Sequence, residues 1–401
     1  MKVRYILAAG LSTLLLFVTG CGATHSNANT SSNILNSELQ SGTSSTPVSS
    51  ASETISSVFS SGIVFGATNS TAKPDIESNT EQKQTAAKTD SSILPNDSTG
   101  IPDKAFYKAI LETSVGKNET VDQNKDGVLQ RSEVQKIPKT VNWENKGIQS
   151  IQGIEKLPVF EIHLNGNKIS DISPVAKLAG TIKTGEDELT VELKNNKVTS
   201  LKSFGSLIAE LKSSHVKSLD LSNNLISDVS SIKDIDIATL ILNHNKIVTA
   251  DSFLLNNQSF YLDLSYNQIQ SLGNCNFLAY SINLSHNKIS TIKSFSSSAD
   301  ELNLSNNVLT DVSFLKGVKA PGPSKLNLSY NELYNLPDMT KWGWTKLKPD
   351  RDGKQYVVQF DGNHLSQKEL QTKLPDQFFS GESANNSKNW LTDQVSAQLK
   401  D

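Results

Sequence analysis

The chain has 401 residues, with 38 Lys and Arg against 41 Asp and Glu, a formal charge of -3, so no basic field is offered to a nucleic acid. Hydrophobic residues are 36%, which stays below a fully globular composition even when the 22 glycines are added. Two cysteines cannot build a disulfide framework, so packing must stabilise whatever folds.

Residues 1–20 have a charged start, Met1 to Tyr5, and an apolar run from Ile6 to Val18. That length suits an export signal rather than a membrane span. Its end, Val18-Thr19-Gly20-Cys21, resembles the lipobox of bacterial lipoproteins. The resemblance implies lipidation at Cys21, anchoring in the membrane of a bacterial cell, of Gram-positive type, and an extracytoplasmic location. Two or three acyl chains, at about 0.8 kcal/mol per buried methylene, make such an anchor stable. Residues 21–100 are expected to be a disordered tether: about thirty of the residues in 22–100 are Ser or Thr, and the aromatics are Phe59 and Phe65. As a flexible coil this length spans ~50 Å.

Residues 101–140 read as a cap. Asp103 to Glu112 has Phe106 and Ile110 on one helical face. The stretch Asp122 to Glu133 then satisfies the twelve-residue calcium-loop template. Side-chain oxygens fall at Asp122, Asn124 and Asp126, Gly127 permits the turn, Val128 offers a carbonyl, Gln130 follows, and Glu133 supplies two oxygens. One Ca²⁺ is expected there. Gly116-Lys117-Asn118 argues against the usual entering helix.

From 141 to 366 one unit recurs, apolar-x-apolar-x-x-Asn-x-apolar, with its asparagine at Asn167, Asn196, Asn224, Asn245, Asn267, Asn287, Asn307, Asn331 and Asn363. A degenerate unit around Lys146 precedes them. Each apolar pair reads as a short strand with one buried face, and the asparagines as a buried ladder satisfying backbone groups between coils. This pattern resembles the leucine-rich repeat, in the short internalin-type subclass of bacterial surface proteins. The resemblance implies an α/β solenoid, a horseshoe of about ten parallel coils, whose outer side is a 3₁₀ turn holding Pro174. It also implies a helical cap that resembles an EF-hand without its metal, from which the complete ligand set here departs. Longer spacings predict a loop at Lys183 to Asp187 and a convex helix at Ser203 to Leu211. Residues 367–401 read as a closing cap and tail, with Phe378, Phe379 and Trp390 covering the stack. Trp342, Trp344, Val357, Val358 and Phe360 around the turn Pro349 to Lys354 predict an enlarged last coil with a hairpin.

No His, Cys and carboxylate grouping shows metal-ligand or triad spacing in the sequence, and Cys275 reads as a core residue, so no enzyme is expected. The position before the ladder asparagine holds His244, Tyr266, His286 and Tyr330, flat rings placed to stack on sugars or to anchor a protein. The inward strand residues are charged in the first half and settle into Asn283, Asn303 and Asn327 in the second. Two functions fit: a monomeric, anchored adhesin or receptor presenting its concave sheet to a protein or glycan, or a structural envelope lipoprotein without a tight ligand.

Overall fold

The computed structural model describes residues 93–399 except 184–187, 212–215, 234, 236, 252–259, 278, 298, 319–321, 324, 343–357 and 375–393. Cys21 and the tether up to residue 92 lie outside the described residues, as do the loop tip at 184–187, the turn at Pro349 to Lys354, and Phe378, Phe379 and Trp390.

Ordered packing starts before residue 101, where the tether was expected to end. Ile93 bridges Gln130, the Leu94 amide donates to the Leu129 carbonyl at 2.8 Å, and Leu94 and Ile101 are buried. Helix α1 (Lys104–Leu111) follows, its N-terminus held by Asp103, whose Oδ1 accepts the Phe106 amide. The other oxygen of Asp103 accepts the amides of Gln149 and Ser150, both at 2.8 Å, and so ties the helix to the first coil. Phe106 meets Trp143 edge-on at 5.2 Å, and the Trp143 indole N–H donates to Thr113 Oγ1. Strands β1 (Ser114–Gly116) and β2 (Glu119–Thr120) form a small antiparallel hairpin where an EF-hand would have its entering helix. The short helix α2 (Arg131–Val134) closes the cap.

Ten strands make one parallel sheet: β3 (Thr140–Asn142), β4 (Glu161–His163), β5 (Leu189–Glu192), β6 (Val216–Asp220), β7 (Thr239–Ile241), β8 (Tyr261–Asp263), β10 (Ser281–Asn283), β12 (Glu301–Asn303), β13 (Lys325–Asn327) and β14 (Val358–Gln359). They pair in register, Ile162 beside Val191 and Leu302 beside Leu326, so each inward aliphatic stacks on the next. These residues are almost wholly buried, because no coil can cover its own apolar face. Val358 pairs in parallel with Leu326. It therefore continues the solenoid sheet.

The outer side varies with coil length, and the 3₁₀ turn expected to hold Pro174 is corrected. Between Asn167 and Asn196, 29 residues apart, lies helix α3 (Ser173–Ala179), with Pro174 in its first turn. The next interval of 28 carries α4 (Lys202–Glu210), as its spacing predicted. Intervals of 21 and 24 carry 3₁₀ turns at Ser230–Ile232 and Ser313–Gly317. The two intervals of 20 carry extended strands, β9 (Ser271–Phe277) and β11 (Thr291–Ser297), which pair in a second parallel sheet. The cause is geometric: the coils share one perimeter, and a residue advances about 1.5 Å in an α-helix, 2.0 Å in a 3₁₀ turn and 3.3 Å in a strand. A coil short of residues must stretch. Where helix meets coil the approach is close, since a Cβ on Gly205 would stand 2.2 Å from the Ser231 carbonyl oxygen.

The ladder is present in full. Asn196 donates to the carbonyls of Leu164 and Leu193 and accepts the Ile169 amide, and the other asparagines repeat this set. At the C-terminal end, after helix α5 (Gln367–Lys373), the ladder gains a further rung that the sequence did not suggest. Gln398 accepts the Leu365 amide at 3.0 Å and donates to the Phe360 carbonyl at 3.0 Å. These are the two groups that the asparagine of a following coil would satisfy. Gln394 Oε1 accepts the Phe360 amide and the Ala397 carbonyl accepts the Gly362 amide. Residues 394–398 thus stand in for an eleventh strand.

Candidate functional site

The turn leaving each strand fixes the first site. The residue before each ladder asparagine is left-handed: Asn145, Asn195, Asn223, His244, Tyr266, His286, Asn306 and Tyr330 have φ between 53° and 58°, and Gly166 and Gly362 are also positive. Asn and Gly tolerate this region; a larger side chain there costs about 1–2 kcal/mol. Four coils nonetheless place His or Tyr there. Three of these rings stack: His244 on Tyr266 at 4.2 Å and Tyr266 on His286 at 4.1 Å, nearly parallel. Stacking at about 0.5–1.5 kcal/mol per pair offsets much of the strain. It also uses up the ring faces, so the column offers ring edges, and not the open faces expected for stacking on sugars. Asn306 interrupts the column, and Tyr330 lies over Gly362, where a Cβ would meet its ring at 2.4 Å. Tyr266 and Tyr330 remain 45% and 58% exposed.

A second aromatic row stands at the other end of the strands, and sequence reading missed it. Phe260 and Tyr280, each just ahead of a strand, stack at 5.0 Å, and Tyr261 sits half exposed in the sheet. The signal was present as aromatics two residues before the apolar pair, in register with the first row. Between the rows runs a groove of about 310 Å³ lined by Tyr261, Asn283, Asn303, Lys325, Asn327 and Gln359. Asn283 and Asn303 use their carbonyl oxygens on the amides and hydroxyls of Ser285 and Ser305. Glu301 and Lys325 pair with each other.

The first half of the sheet assembles in space a ligand grouping that no sequence spacing announces. Glu144, His163 and Glu192 bring ligand atoms within 4.8 Å of one another, the only such group of His, Cys, Asp and Glu among the described residues. A divalent cation could be held there. His163 Nδ1 lies 2.9 Å from Glu192 Oε2, and Nε2 lies 3.7 Å from Glu161 Oε1. The residues are 19 and 29 apart in sequence, so only coiling joins them. Burial pushes the Glu192 carboxyl up, but hydrogen bonds from His163 and Asn165 and the charges of His163 and Lys194 hold it below the usual carboxylate range. A depressed folded value contributes stability that is present above the ordinary carboxylate range and is lost as pH falls through the lowered one.

In the cap, the loop from Asp122 to Glu133 folds on itself. Asp122 Oδ2 accepts the Gly127 amide, Asn124 Oδ1 that of Asp126, and Asp126 Oδ1 that of Val128. The Val128 bond is the largest cause holding the Asp126 carboxyl below its ordinary value. Gly127 needs its φ of 73°. Gln130 donates to Asp126, and the two oxygens of Glu133 accept the amides of Gln123 and Gln130, both at 3.0 Å. Asp122 Oδ1 is buried with no hydrogen-bond partner. An orphaned carboxylate oxygen among hard oxygen donors fits Ca²⁺.

Cys275 is buried among the outer strands, and burial, with the charge of Asp251, pushes its thiol up to about 12. It stays protonated and is no nucleophile. No described helix is long and apolar enough to cross a membrane.

Parallel coils, an asparagine ladder and a continuous inner sheet define a leucine-rich-repeat solenoid. No family model matches the chain, and no curated protein sequence is similar to it. Among solved structures, an internalin C2 from Listeria monocytogenes is 21% identical, with 54% of this chain and 91% of that chain covered, at a TM-score of 0.38. A second internalin from that organism is 18% identical over 66% and 91%, at 0.30, and the leucine-rich repeat domain of APL1B is 18% identical over 57% and 65%, at 0.38. At such scores the class rests on the chain's own repeat geometry.

Proposed function

We propose that this protein is a lipid-anchored surface protein of a bacterial cell whose concave sheet binds a protein or glycan without catalysis. The observation that carries this reading is a polar groove over β8 to β14 with aromatic side chains near it, Phe260 and Tyr280 ahead of β8 and β10, and Tyr266, His286 and Tyr330 after β8, β10 and β13. Exposed aromatics of this density, on backbone that favours Asn or Gly, belong to a contact surface. Ligand is contacted through the ring edges and hydroxyls of Tyr266 and Tyr330 and through the groove amides. The test is a pull-down with the full chain against wall fractions and host surfaces, followed by affinity measurement on the captured ligand. Tyr266→Ala with His286→Ala is expected to weaken binding at least tenfold, while Lys233→Ala with Lys293→Ala leaves it unchanged. Equal affinity of both pairs and wild type would exclude the rows. The competing reading, an envelope lipoprotein without a tight ligand, draws support from Asn283 and Asn303, which are already satisfied locally.

Anchoring rests on Cys21. Cys21→Ala is expected to move the protein from the membrane pellet to the soluble fraction, and a processed mutant that still pellets quantitatively would sink the anchor.

The cap loop binds one Ca²⁺ through Asp122, Asn124, Asp126, Val128, Gln130 and Glu133. A site with Kd of ~10⁻⁴–10⁻³ M contributes about 1 kcal/mol at millimolar calcium. Glu133→Gln also disturbs two backbone bonds, so Asp122→Asn is the cleaner variant: it keeps an acceptor for Gly127 and removes the charge. Its melting temperature is expected to be close to wild type without calcium and to lose the calcium-dependent rise. A wild type that shows neither that rise nor calorimetric calcium binding has no such site.

A further inference from the structure

We propose that Glu144, His163 and Glu192 form a site for one first-row transition-metal dication of the Zn²⁺ type, on the concave face and separate from the calcium loop. The three side chains come from successive coils: Glu144 follows β3, and His163 and Glu192 end β4 and β5 as paired residues in the sheet. Their ligand atoms already lie within 4.8 Å of one another, so a bound ion needs side-chain adjustment and no backbone movement. Rigid strands are the best support for such a site.

Asn165 fixes the arrangement from behind. Its Nδ2 donates to Glu144 Oε1 at 2.7 Å and to Glu192 Oε2 at 2.9 Å, while its Oδ1 accepts the Lys194 amide at 2.8 Å. One amide, locked to the backbone, therefore orients both carboxylates. Glu161 plays the matching part for the imidazole. When a metal takes His163 Nδ1, the ring proton resides on Nε2, which faces Glu161 Oε1 at 3.7 Å, a separation that a small side-chain rotation closes to a hydrogen bond. A carboxylate behind a ligating histidine raises its basicity and fixes its tautomer.

The donor set selects the ion. An imidazole nitrogen with two carboxylates suits Zn²⁺, Ni²⁺ or Cu²⁺, whereas Ca²⁺ and Mg²⁺ take oxygen. Three protein ligands leave a tetrahedral ion one open position. All three residues are partly exposed, so that position is open to solvent on the concave sheet and can accept an anionic oxygen of a ligand seated there.

The test is calorimetric titration of ZnCl₂ into the full chain carrying Cys21→Ala, which leaves the buried Cys275 as the remaining cysteine, in 1 mM calcium. One saturable zinc equivalent is expected, undiminished by calcium. His163→Ala is expected to lose more than tenfold in affinity and Asn165→Ala to lose about 10–100-fold, while His364→Ala, in the last coil, binds as wild type. Circular dichroism checks the fold of each variant, and Glu144→Gln, a conservative change at a partly exposed position, gives the same reading should His163→Ala not fold. Absence of saturable binding, or wild-type affinity in His163→Ala, Glu144→Gln and Asn165→Ala alike, overturns the proposal. Either result leaves the aromatic rows untouched, because they are tested by ligand capture at the other half of the sheet.

Discussion

Removing residues 394–401 is expected to destabilise the protein by about 6 kcal/mol and to make it associate with itself. Six hydrogen bonds disappear at once: Phe360 amide to Gln394, Gly362 amide to Ala397, Leu365 amide to Gln398, Gln398 to the Phe360 carbonyl, Leu399 amide to the Asn363 carbonyl, and Gln394 Nε2 to Asp361 Oδ1. Each contributes roughly 1 kcal/mol net when its partner is left to water. Phe360 and Asn363, now fully buried, lose part of their cover. The stripped edge of β14 presents unpaired backbone groups, a template for a second chain. Urea unfolding reads the first effect and sedimentation at two concentrations the second. A finer test is Gln398→Ala, which removes one rung and keeps the rest of the tail; it is expected to cost about 2 kcal/mol. An unchanged midpoint in both variants would show that the tail only lies on the solenoid.

That closure was not legible beforehand, and the reason is instructive. A ladder asparagine announces itself through apolar neighbours at fixed offsets; Gln394 and Gln398 have none, because they imitate the rung with a longer side chain from a helical turn. The aromatics expected to close the stack drew attention for the opposite reason, since bulk is visible in a sequence and hydrogen-bond geometry is not. The inner sheet was readable throughout because its period of two and its asparagines recur in every coil. The outer side was readable only where extra residues called for a helix, as at Lys202–Glu210. That a coil of 20 residues would stretch into β9 and β11 needed the shared perimeter, which no single repeat contains. The Glu144, His163 and Glu192 group was hidden in the same way: each residue is ordinary in its own coil, and the site exists only in the stacking direction. Conversely, the His244, Tyr266 and His286 column is legible from the repeat register, while the stacking of its rings on one another shows only between coils.

Asn331→Ala is expected to cost about 3–5 kcal/mol, more than most single changes in this chain. Its amide nitrogen donates to the carbonyls of Leu304 and Leu328, both at 3.0 Å, and its oxygen accepts the Leu309 amide at 3.0 Å. The side chain is 2% exposed. Alanine leaves those groups buried without partners, and each such group costs about 1–3 kcal/mol. Water cannot restore them without opening the coil interface. Asn287 makes the corresponding bonds to Leu264, Leu284 and Ile269 but is only half buried. Solvent can reach its partners, so Asn287→Ala is expected to cost about half as much. Denaturant unfolding of the two variants side by side decides between burial and bond count. Equal losses would mean that the bonds alone set the energy; a larger loss at Asn331 means that the ladder stabilises the solenoid because it satisfies backbone groups where water does not go.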